Sequence, residues 1–156
     1  MKIKFLWLGK SKDKAFISLI KEYQKRLKYY CRSSLTELKE TNYGKLSIEE
    51  QKTAEAKQFL KDLSPQDYLV LLDERGKHHG SIEFSDWIQH KMNISLPQIV
   101  FVIAGPYGAS QELKDRADHK MSLSHMTLTH DMARILIMEQ VYRGFTILRG
   151  EKYHNE

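Results

Sequence analysis

Three short segments of this chain combine glycine, hydroxyl or charged residues directly after an apolar run: Leu72–Lys77, Ala104–Gly108 and Ser124–His130. In an open α/β sheet, ligands bind beyond the carboxyl ends of the strands, and glycine allows a backbone to approach a ligand closely. Each segment also has an ordinary explanation: a surface charge cluster, a strand-to-helix turn, or helix capping by Thr127 or Thr129. The three segments are candidates for one ligand site, and the patterns leave the ordinary explanations open.

A second group of reactive side chains lies near the end of the chain, at Arg143, Tyr153 and His154. Arginine suits phosphate, tyrosine suits base stacking and histidine suits proton transfer near neutral pH. These residues therefore fit an anionic nucleic-acid substrate. The alternative is a polar tail without function, because chain ends are often frayed.

Several classes of enzyme lack their sequence motif here. The glycine patterns of dinucleotide-binding and ATP-hydrolysing proteins are missing, as is the nucleophile elbow of serine hydrolases. The pairs His78-His79 and His125/His130 do not have the spacing of zinc ligands, so we expect no metal site. Cys31 is the only cysteine, which excludes an intrachain disulfide and fits a reducing compartment.

Composition predicts one α/β domain spanning residues 1–156, since 156 residues with 41% hydrophobic content suffice for one core. No apolar run is long enough for a membrane span, and the run at residues 3–8 is too short for a signal peptide, so we expect a cytoplasmic protein. The net charge is +5, and residues 1–70 hold fifteen of the Lys and Arg residues against nine Asp and Glu. This basic half can attract RNA, or it can be a solvated helix surface.

Hydrophobic periodicity predicts alternating strands and helices, and therefore a mostly parallel sheet covered on both faces. Helices are expected at residues 13–30, from a Ser47/Glu50 capping box to 63, from a Ser81 cap to 92, after a Ser110 cap, and at 131–147, followed by a polar tail. The predicted strands are 2–8, 33–39, 68–72, 99–103 and 121–124. The last helix carries more apolar surface than one sheet face readily hides, which favours a two-fold interface. Its apolar residues are Ile135, Leu136, Met138, Val141, Tyr142 and Phe145.

The motifs taken together resemble the RlmH family of 23S ribosomal RNA pseudouridine N3-methyltransferases, which belong to the SPOUT class. The resemblance covers the whole chain and rests on five segments in order: 71–77, 101–108, 122–130, 134–143 and 150–154. One departure is visible at Ala104, where the family often has a second glycine.

The resemblance implies a single-domain SPOUT fold with a C-terminal trefoil knot, whose loops hold S-adenosyl-L-methionine. The positions that match the family's cofactor contacts are Leu72, Gly105, Ser124, His125, Met126, Thr127, Leu128 and Thr129. It also implies a homodimer acting on a pseudouridine in the helix 69 loop of 23S rRNA in the assembled ribosome.

Methylation at N3 of pseudouridine requires loss of the imide proton, which a general base or support for the anion would assist. On the resemblance, His154 is the first candidate base, Tyr153 the second, and Arg143 would hold phosphate or the developing anion. His130 and Arg134 fit site roles and structural roles about equally. The sulfonium methyl is already activated, so no metal is needed.

Two other functions fit part of the sequence. A non-catalytic ribosome-binding module would explain the basic first half, but it leaves the three candidate loops unexplained. A SPOUT methyltransferase acting on tRNA would use the same cofactor site. Binding of the cofactor would exclude the non-catalytic module. A comparison of methylation of ribosomes and of tRNA would distinguish the rRNA enzyme from the tRNA enzyme.

Overall fold

The computed structural model describes residues 1–40 and 43–154. Within these residues, five strands alternate with five helices. The strands are β1 (Lys2–Leu8), β2 (Arg32–Leu38), β3 (Tyr68–His78), β4 (Gln98–Ile103) and β5 (His119–Ser122). The helices are α1 (Lys14–Leu27), α2 (Ile48–Asp62), α3 (Ser81–Asn93), α4 (Gln111–Arg116) and α5 (His130–Leu148).

All strand pairs are parallel, in the order β2-β1-β4-β3-β5. The chain therefore crosses the sheet between β2 and β3 and returns to place β4 in the middle. Because all five strands run the same way, their carboxyl ends meet at one edge, where the predicted ligand loops begin. The mostly parallel α/β sheet predicted from the sequence is confirmed.

The sheet is buried on both faces, as the continuous apolar runs of β1, β3 and β4 require. Alternate side chains such as Phe5 and Phe101 face α1, α3 and α5, and their rings stack with centroids 5.9 Å apart. The intervening side chains, including Leu6 and Val102, face α2 and α4 around the fully buried Phe59.

Three helices begin at a capping residue that the sequence pattern had offered. Ser47 and Glu50 form the predicted capping box of α2, and Ser110 caps α4 by accepting a hydrogen bond from the Leu113 N–H. At α5 the cap is Thr129, which accepts a hydrogen bond from the Met132 N–H at 3.3 Å. Each cap satisfies a backbone donor that the helix leaves free.

The prediction that Ser81 caps α3 is wrong. Gly80 is the N-cap and makes no side-chain cap, whereas the Ser81 hydroxyl donates to the Gln140 side chain on α5 at 3.1 Å. The Ser81 hydroxyl, which the sequence pattern assigned to a helix cap, therefore joins α3 to α5 instead.

Strand β3 runs six residues beyond its predicted end, and β5 lies two residues earlier than predicted. Both differences arise where these strands pair: Leu72 and Lys77 are each opposite Met121, so residues 73–76 form a bulge. Gly76 allows this close approach, since an added Cβ would lie 2.6 Å from the Lys120 backbone. The other predicted elements end within three residues of the observed bounds.

The apolar surface of α5 is mostly used within the chain. Ile135, Met138, Val141 and Phe145 are buried against the sheet, and only Leu136 and Tyr142 of the six predicted residues are partly exposed. The apolar content of α5 therefore gives no argument for a two-fold interface, because α1 and α3 cover this helix together with the sheet.

Candidate functional site

A cleft of about 510 Å³ opens at the carboxyl ends of β3, β4 and β5. Its walls are the β3 bulge (residues 73–76), the β4 loop (104–109) and the β5 loop (123–129). These are the three segments that the sequence singled out, and the parallel sheet brings them together. The volume lies within the range of cofactor-sized pockets, roughly 300–1,000 Å³.

Six of the eight predicted cofactor residues line this cleft. They are Leu72, Gly105, Ser124, Met126, Thr127 and Leu128. The other two make different contacts: the His125 ring lies on the His78 ring with centroids 3.6 Å apart, and Thr129 caps α5.

The β5 loop is fixed by local hydrogen bonds and yet presents an open surface. The Ser124 hydroxyl accepts from the Met126 N–H at 2.9 Å, and the Thr127 hydroxyl lies 3.4 Å from a Glu74 carboxylate oxygen in the β3 bulge. Met126 at the tip is 77% exposed. An exposed thioether this close to a cleft is available to cover a bound ligand.

The charged groups that line the cleft are of both signs. Asp73 lies 3.8 Å from the Lys114 ammonium of α4, and Glu74 and Lys52 also line the walls. Apolar contact is supplied by Leu72, Ile103 and Leu128 among others. The cleft can therefore hold a ligand that carries an apolar or planar part together with both positive and negative groups.

Gly105 also lies close to helix α2, which the sequence pattern around it did not indicate. An added Cβ at this position would lie 2.2 Å from a carboxylate oxygen of Glu55, a residue of α2 that is 7% exposed. The Gly105 N–H donates to this carboxylate, while burial and then the charge of Glu40 raise the pKa of Glu55. The glycine thus allows α2 to contact the β4 loop behind the cleft.

The first turn of α5 is tied to the chain just after β1. The Arg134 guanidinium, 5% exposed, donates to the Leu8 carbonyl at 2.6 Å, and to the Ser11 hydroxyl and the Asp131 carboxylate at 3.1 Å each. Ser11 also donates to Asp131. Burial lowers the pKa of Arg134, although three acceptors keep the guanidinium in place. Arg134 is therefore primarily a support for this end of the helix.

His130 stands between the cleft and a neighbouring cavity and is half-buried. Burial and then the charge of Arg134 lower its pKa, so the imidazole is neutral at pH 7.

The three tail candidates do lie together. The Arg143 side chain donates to Glu139 through Nε at 3.0 Å and Nη2 at 2.5 Å, lies 4.7 Å from the Tyr153 ring centroid, and places Nη1 3.3 Å from Nδ1 of His154. Gly150, with φ +65°, ends α5 and turns the tail back along it. The tail residues up to His154 are thus held against the helix.

This tail cluster is far from the cleft of its own chain. His130, at the cleft, and Arg143 are thirteen positions apart in one helix, which corresponds to about 20 Å along the helix axis. The predicted catalytic residues therefore lie along the second half of α5, whereas the predicted cofactor residues lie around its start.

Known proteins with similar sequences identify the class to which this arrangement belongs. A family model described as "Predicted SPOUT methyltransferase" matches residues 1–154. The chain belongs to the SPOUT methyltransferase family. Proteins called "Ribosomal RNA large subunit methyltransferase H" from Flavobacterium johnsoniae and Porphyromonas gingivalis are 45% and 44% identical to it, each over 100% of both chains. The protein of the same name from Christiangramia forsetii is 44% identical over 99% of both chains.

Some residues of this SPOUT methyltransferase site escaped the sequence analysis. Lys52 and Lys114 line the cleft, and Glu55 lies behind it. Lys52 and Glu55 are on α2, for which the capping box predicted only a helix. Their place depends on the crossing of the chain between β2 and β3, which local sequence does not encode.

Metal-binding clusters and membrane-spanning helices are both absent from the described part of this SPOUT methyltransferase. Within residues 1–40 and 43–154, no group of three or more His, Cys, Asp or Glu side chains is arranged to hold a metal ion. In the same ranges, no helix has both the length and the apolar character needed to span a membrane.

Proposed function

We propose that this SPOUT methyltransferase transfers a methyl group from S-adenosyl-L-methionine to N3 of a pseudouridine in the helix 69 loop of 23S rRNA, acting on assembled ribosomes. The observation that carries the proposal is the cleft, in which three loops meet at the carboxyl ends of β3, β4 and β5. The full-length relatives, whose names state a large-subunit ribosomal RNA methyltransferase, support rRNA as the substrate.

The donor groups of the cleft fit S-adenosyl-L-methionine. Its adenine suits the apolar contacts of Leu72 and Leu128, and its ribose hydroxyls and amino-acid end suit Ser124, Thr127 and the backbone of the β4 loop. Asp73 and Glu74 can attract its ammonium and sulfonium charges, and Lys114 its carboxylate. When bound, this cofactor supplies a methyl group activated by the positive sulfur.

The role of the protein's own residues is to remove the N3 proton of the pseudouridine and to stabilise the imide anion that results. His154 is the base that fits best. The pKa of Tyr153 is raised by burial and by its hydrogen bond with Tyr23, so this phenol stays protonated and serves as a donor. Arg143, held by Glu139, is a fixed cation for the anion or a phosphate.

One feature of the tail cluster must change during the reaction. The Arg143 guanidinium can only donate, so the His154 Nδ1 atom 3.3 Å away is the acceptor of that contact, with the tautomer inferred from it. The lone pair that would take the N3 proton is therefore turned toward Arg143. We expect His154 to turn away from Arg143 when RNA is bound.

We further propose a homodimer in which the tail of one chain serves the cleft of the other. The separation of about 20 Å between the tail cluster and the cleft along α5 supports this arrangement, because one chain alone does not bring the two groups together. Leu19 on α1 and Met132 on α5 are exposed apolar side chains that such a contact could cover.

The remaining parts of the proposal follow from family membership. Residues 1–156 act as one SPOUT domain in the cytoplasm, and its C-terminal part forms a trefoil knot. The β3 bulge (residues 73–76) and the β5 loop are the segments from which such a knot would be built.

Cofactor binding tests the first step. S-adenosyl-L-methionine is expected to bind by titration calorimetry and to raise the melting temperature, since a ligand that binds only the folded state stabilises it. Thr127→Trp, which places a bulky ring at the exposed cleft wall, should abolish the heat of binding while leaving the unliganded melting temperature near that of the parent chain. Absence of binding by the parent chain at millimolar cofactor would refute the assignment.

A further inference from the structure

A second cavity, of about 490 Å³, lies beside the cofactor cleft. Gly105, Pro106 and His130 line both spaces, so the β4 loop and the start of α5 form the wall between them. Its other walls are the end of β1, the start of α1 and the first half of α2. A cavity of this size next to a cofactor site can hold a second small group of substrate size.

The inner wall of this cavity includes fixed polar groups of opposite kinds. Arg134 is held by three acceptors through its terminal nitrogens, but its buried Nε atom has no hydrogen-bond partner among the residues that the structure describes. Glu55 contributes a buried carboxylate from the opposite side. This wall therefore carries an acceptor in the Glu55 carboxylate and a cation in the Arg134 guanidinium.

The charges that line the cavity are of both signs, so they do not favour a simple ion as the occupant. Glu55, Glu40, Asp13 and Asp131 would repel a small anion, whereas Lys10, Lys12 and Arg134 would repel a small cation; all seven line the cavity. A neutral group that carries both donors and acceptors avoids both penalties. The edge of a nucleobase has this character.

The mouth of the cavity adds a site for phosphate. Lys10 and Lys12 are exposed, and neither has an ion-pair partner within the described ranges 1–40 and 43–154. Lysine ammonium groups at the rim of a polar pocket suit the phosphate of a nucleotide whose base lies inside. Tyr43, which lines the same cavity, offers a ring for base contact.

From this arrangement we propose that the cavity between β1, α1 and α5 binds an unpaired nucleotide of the RNA substrate, with its base inside and its phosphate at Lys10 and Lys12. The inference rests on the proposed function, because it assumes that RNA is the substrate. It adds a binding site on the chain that also holds the cofactor, separate from the tail cluster.

Two pairs of variants test the proposal, with ribosomes as the methyl acceptor and binding of the cofactor measured in parallel. Lys10→Ala/Lys12→Ala removes the rim charges, and Lys57→Ala/Lys61→Ala removes two exposed lysines of α2 that do not line the cavity. The rim variant should raise KM for ribosomes roughly tenfold and reduce the salt dependence by about two phosphate contacts, while the control changes neither.

The second pair fills the cavity. Gln51→Trp places a ring in it, whereas Lys57→Trp places the same ring elsewhere on α2. The first should raise KM for ribosomes with cofactor affinity unchanged, and the second should behave like the parent chain. Circular dichroism and the melting temperature establish that both variants fold.

The outcomes separate the failure of this inference from that of the proposed function. If the parent chain methylates ribosomes but the cavity variants match their controls, the nucleotide site is wrong. If the cavity variants instead weaken cofactor binding, the cavity belongs to the cofactor and the inference is also wrong. If the parent chain methylates no RNA at all, the proposed function itself fails.

Discussion

At the scale of single residues, Gly105 links the cofactor cleft to the core in a way that a motif alone does not reveal. A glycine after a buried strand indicated a close approach to a ligand. The structure adds a close approach to the Glu55 carboxylate, 2.2 Å from where a Cβ would be. A substitution at this position therefore changes packing of α2 as well as the cleft, and loss of cofactor binding in such a variant has two explanations.

A double-mutant cycle separates these explanations. Gly105→Ala should lower the free energy of unfolding by about 1–3 kcal/mol, because the added methyl group overpacks the contact with Glu55. Glu55→Ala removes the obstructing carboxylate, so the double variant should lose less than the sum of the single losses. Urea denaturation of the four chains measures the coupling, and strictly additive losses would contradict this account of the contact.

Arg134 shows a second limit of reasoning from single residues. The resemblance of its segment to the family motif was compatible with a role in the site and with a structural role. The observed bonds to the Leu8 carbonyl and the Ser11 hydroxyl support the structural role, because they tie the start of α5 to the end of β1. These partners are more than 120 positions away in sequence, so no local pattern could have named them.

At the scale of elements, strand and helix order followed from hydrophobic periodicity, and the parallel sheet followed from that order. The capping of α2, α4 and α5 was also readable, because a cap is a contact between near neighbours. The bulge at residues 73–76 was not, since it depends on how β5 pairs with β3. For the same reason the cleft could be predicted from its three loops, while its α2 wall, with Lys52, could not.

The pairing of β3 with β5 also places two histidines together at the edge of the sheet. Nε2 of His79 lies 3.1 Å from Nε2 of His119, with Glu83, Lys77, Lys91 and His78 as the charged or titratable neighbours. Burial is the main cause that lowers the pKa of both imidazoles, and Glu83 opposes it only at His79. Both rings are therefore neutral in the folded protein at pH 7.

Stability should consequently fall as the solution is acidified. The unfolded chain binds protons on these histidines near the ordinary pKa of 6.5, whereas the folded chain binds them only at lower pH. The free energy of unfolding should thus decrease as pH falls from 6.5 toward the lowered folded values. His119→Gln should make this slope shallower, and His90→Gln, at an exposed position of α3, should leave it unchanged; equal slopes in all three chains would refute the assignment.

At the scale of the whole molecule, the distance between the tail cluster and the cleft sets the architecture of the enzyme. One chain holds Arg143, Tyr153 and His154 together, but along the second half of α5, whereas its own cofactor loops lie around the start of this helix. The tail could be recognised from the sequence as a set of reactive residues. Its separation from the cleft could be estimated as well, because the predicted helix 131–147 lies between the β5 loop and the tail.

Complementation tests whether two chains share one site. His154→Ala should be inactive because its base is missing, and Thr127→Trp because its cleft is blocked. If each site combines the cleft of one chain with the tail of the other, a mixed dimer contains one intact site and regains activity. If each site lies within one chain, both sites of the mixed dimer carry a lesion. No recovery, after mass spectrometry has confirmed subunit exchange between folded variants, would count against the shared site.

The most direct test of the central claim is methyl transfer from isotopically labelled S-adenosyl-L-methionine to purified ribosomes, followed by mass-spectrometric mapping of the modified nucleoside. The proposal predicts label at N3 of one pseudouridine in the helix 69 loop of 23S rRNA, and much slower labelling of a free helix 69 hairpin or of tRNA. The chain offers a small basic surface, so specific placement should require the preformed surface of the ribosome. Label on tRNA in preference to ribosomes, or equal rates on the hairpin and on ribosomes, would contradict the account.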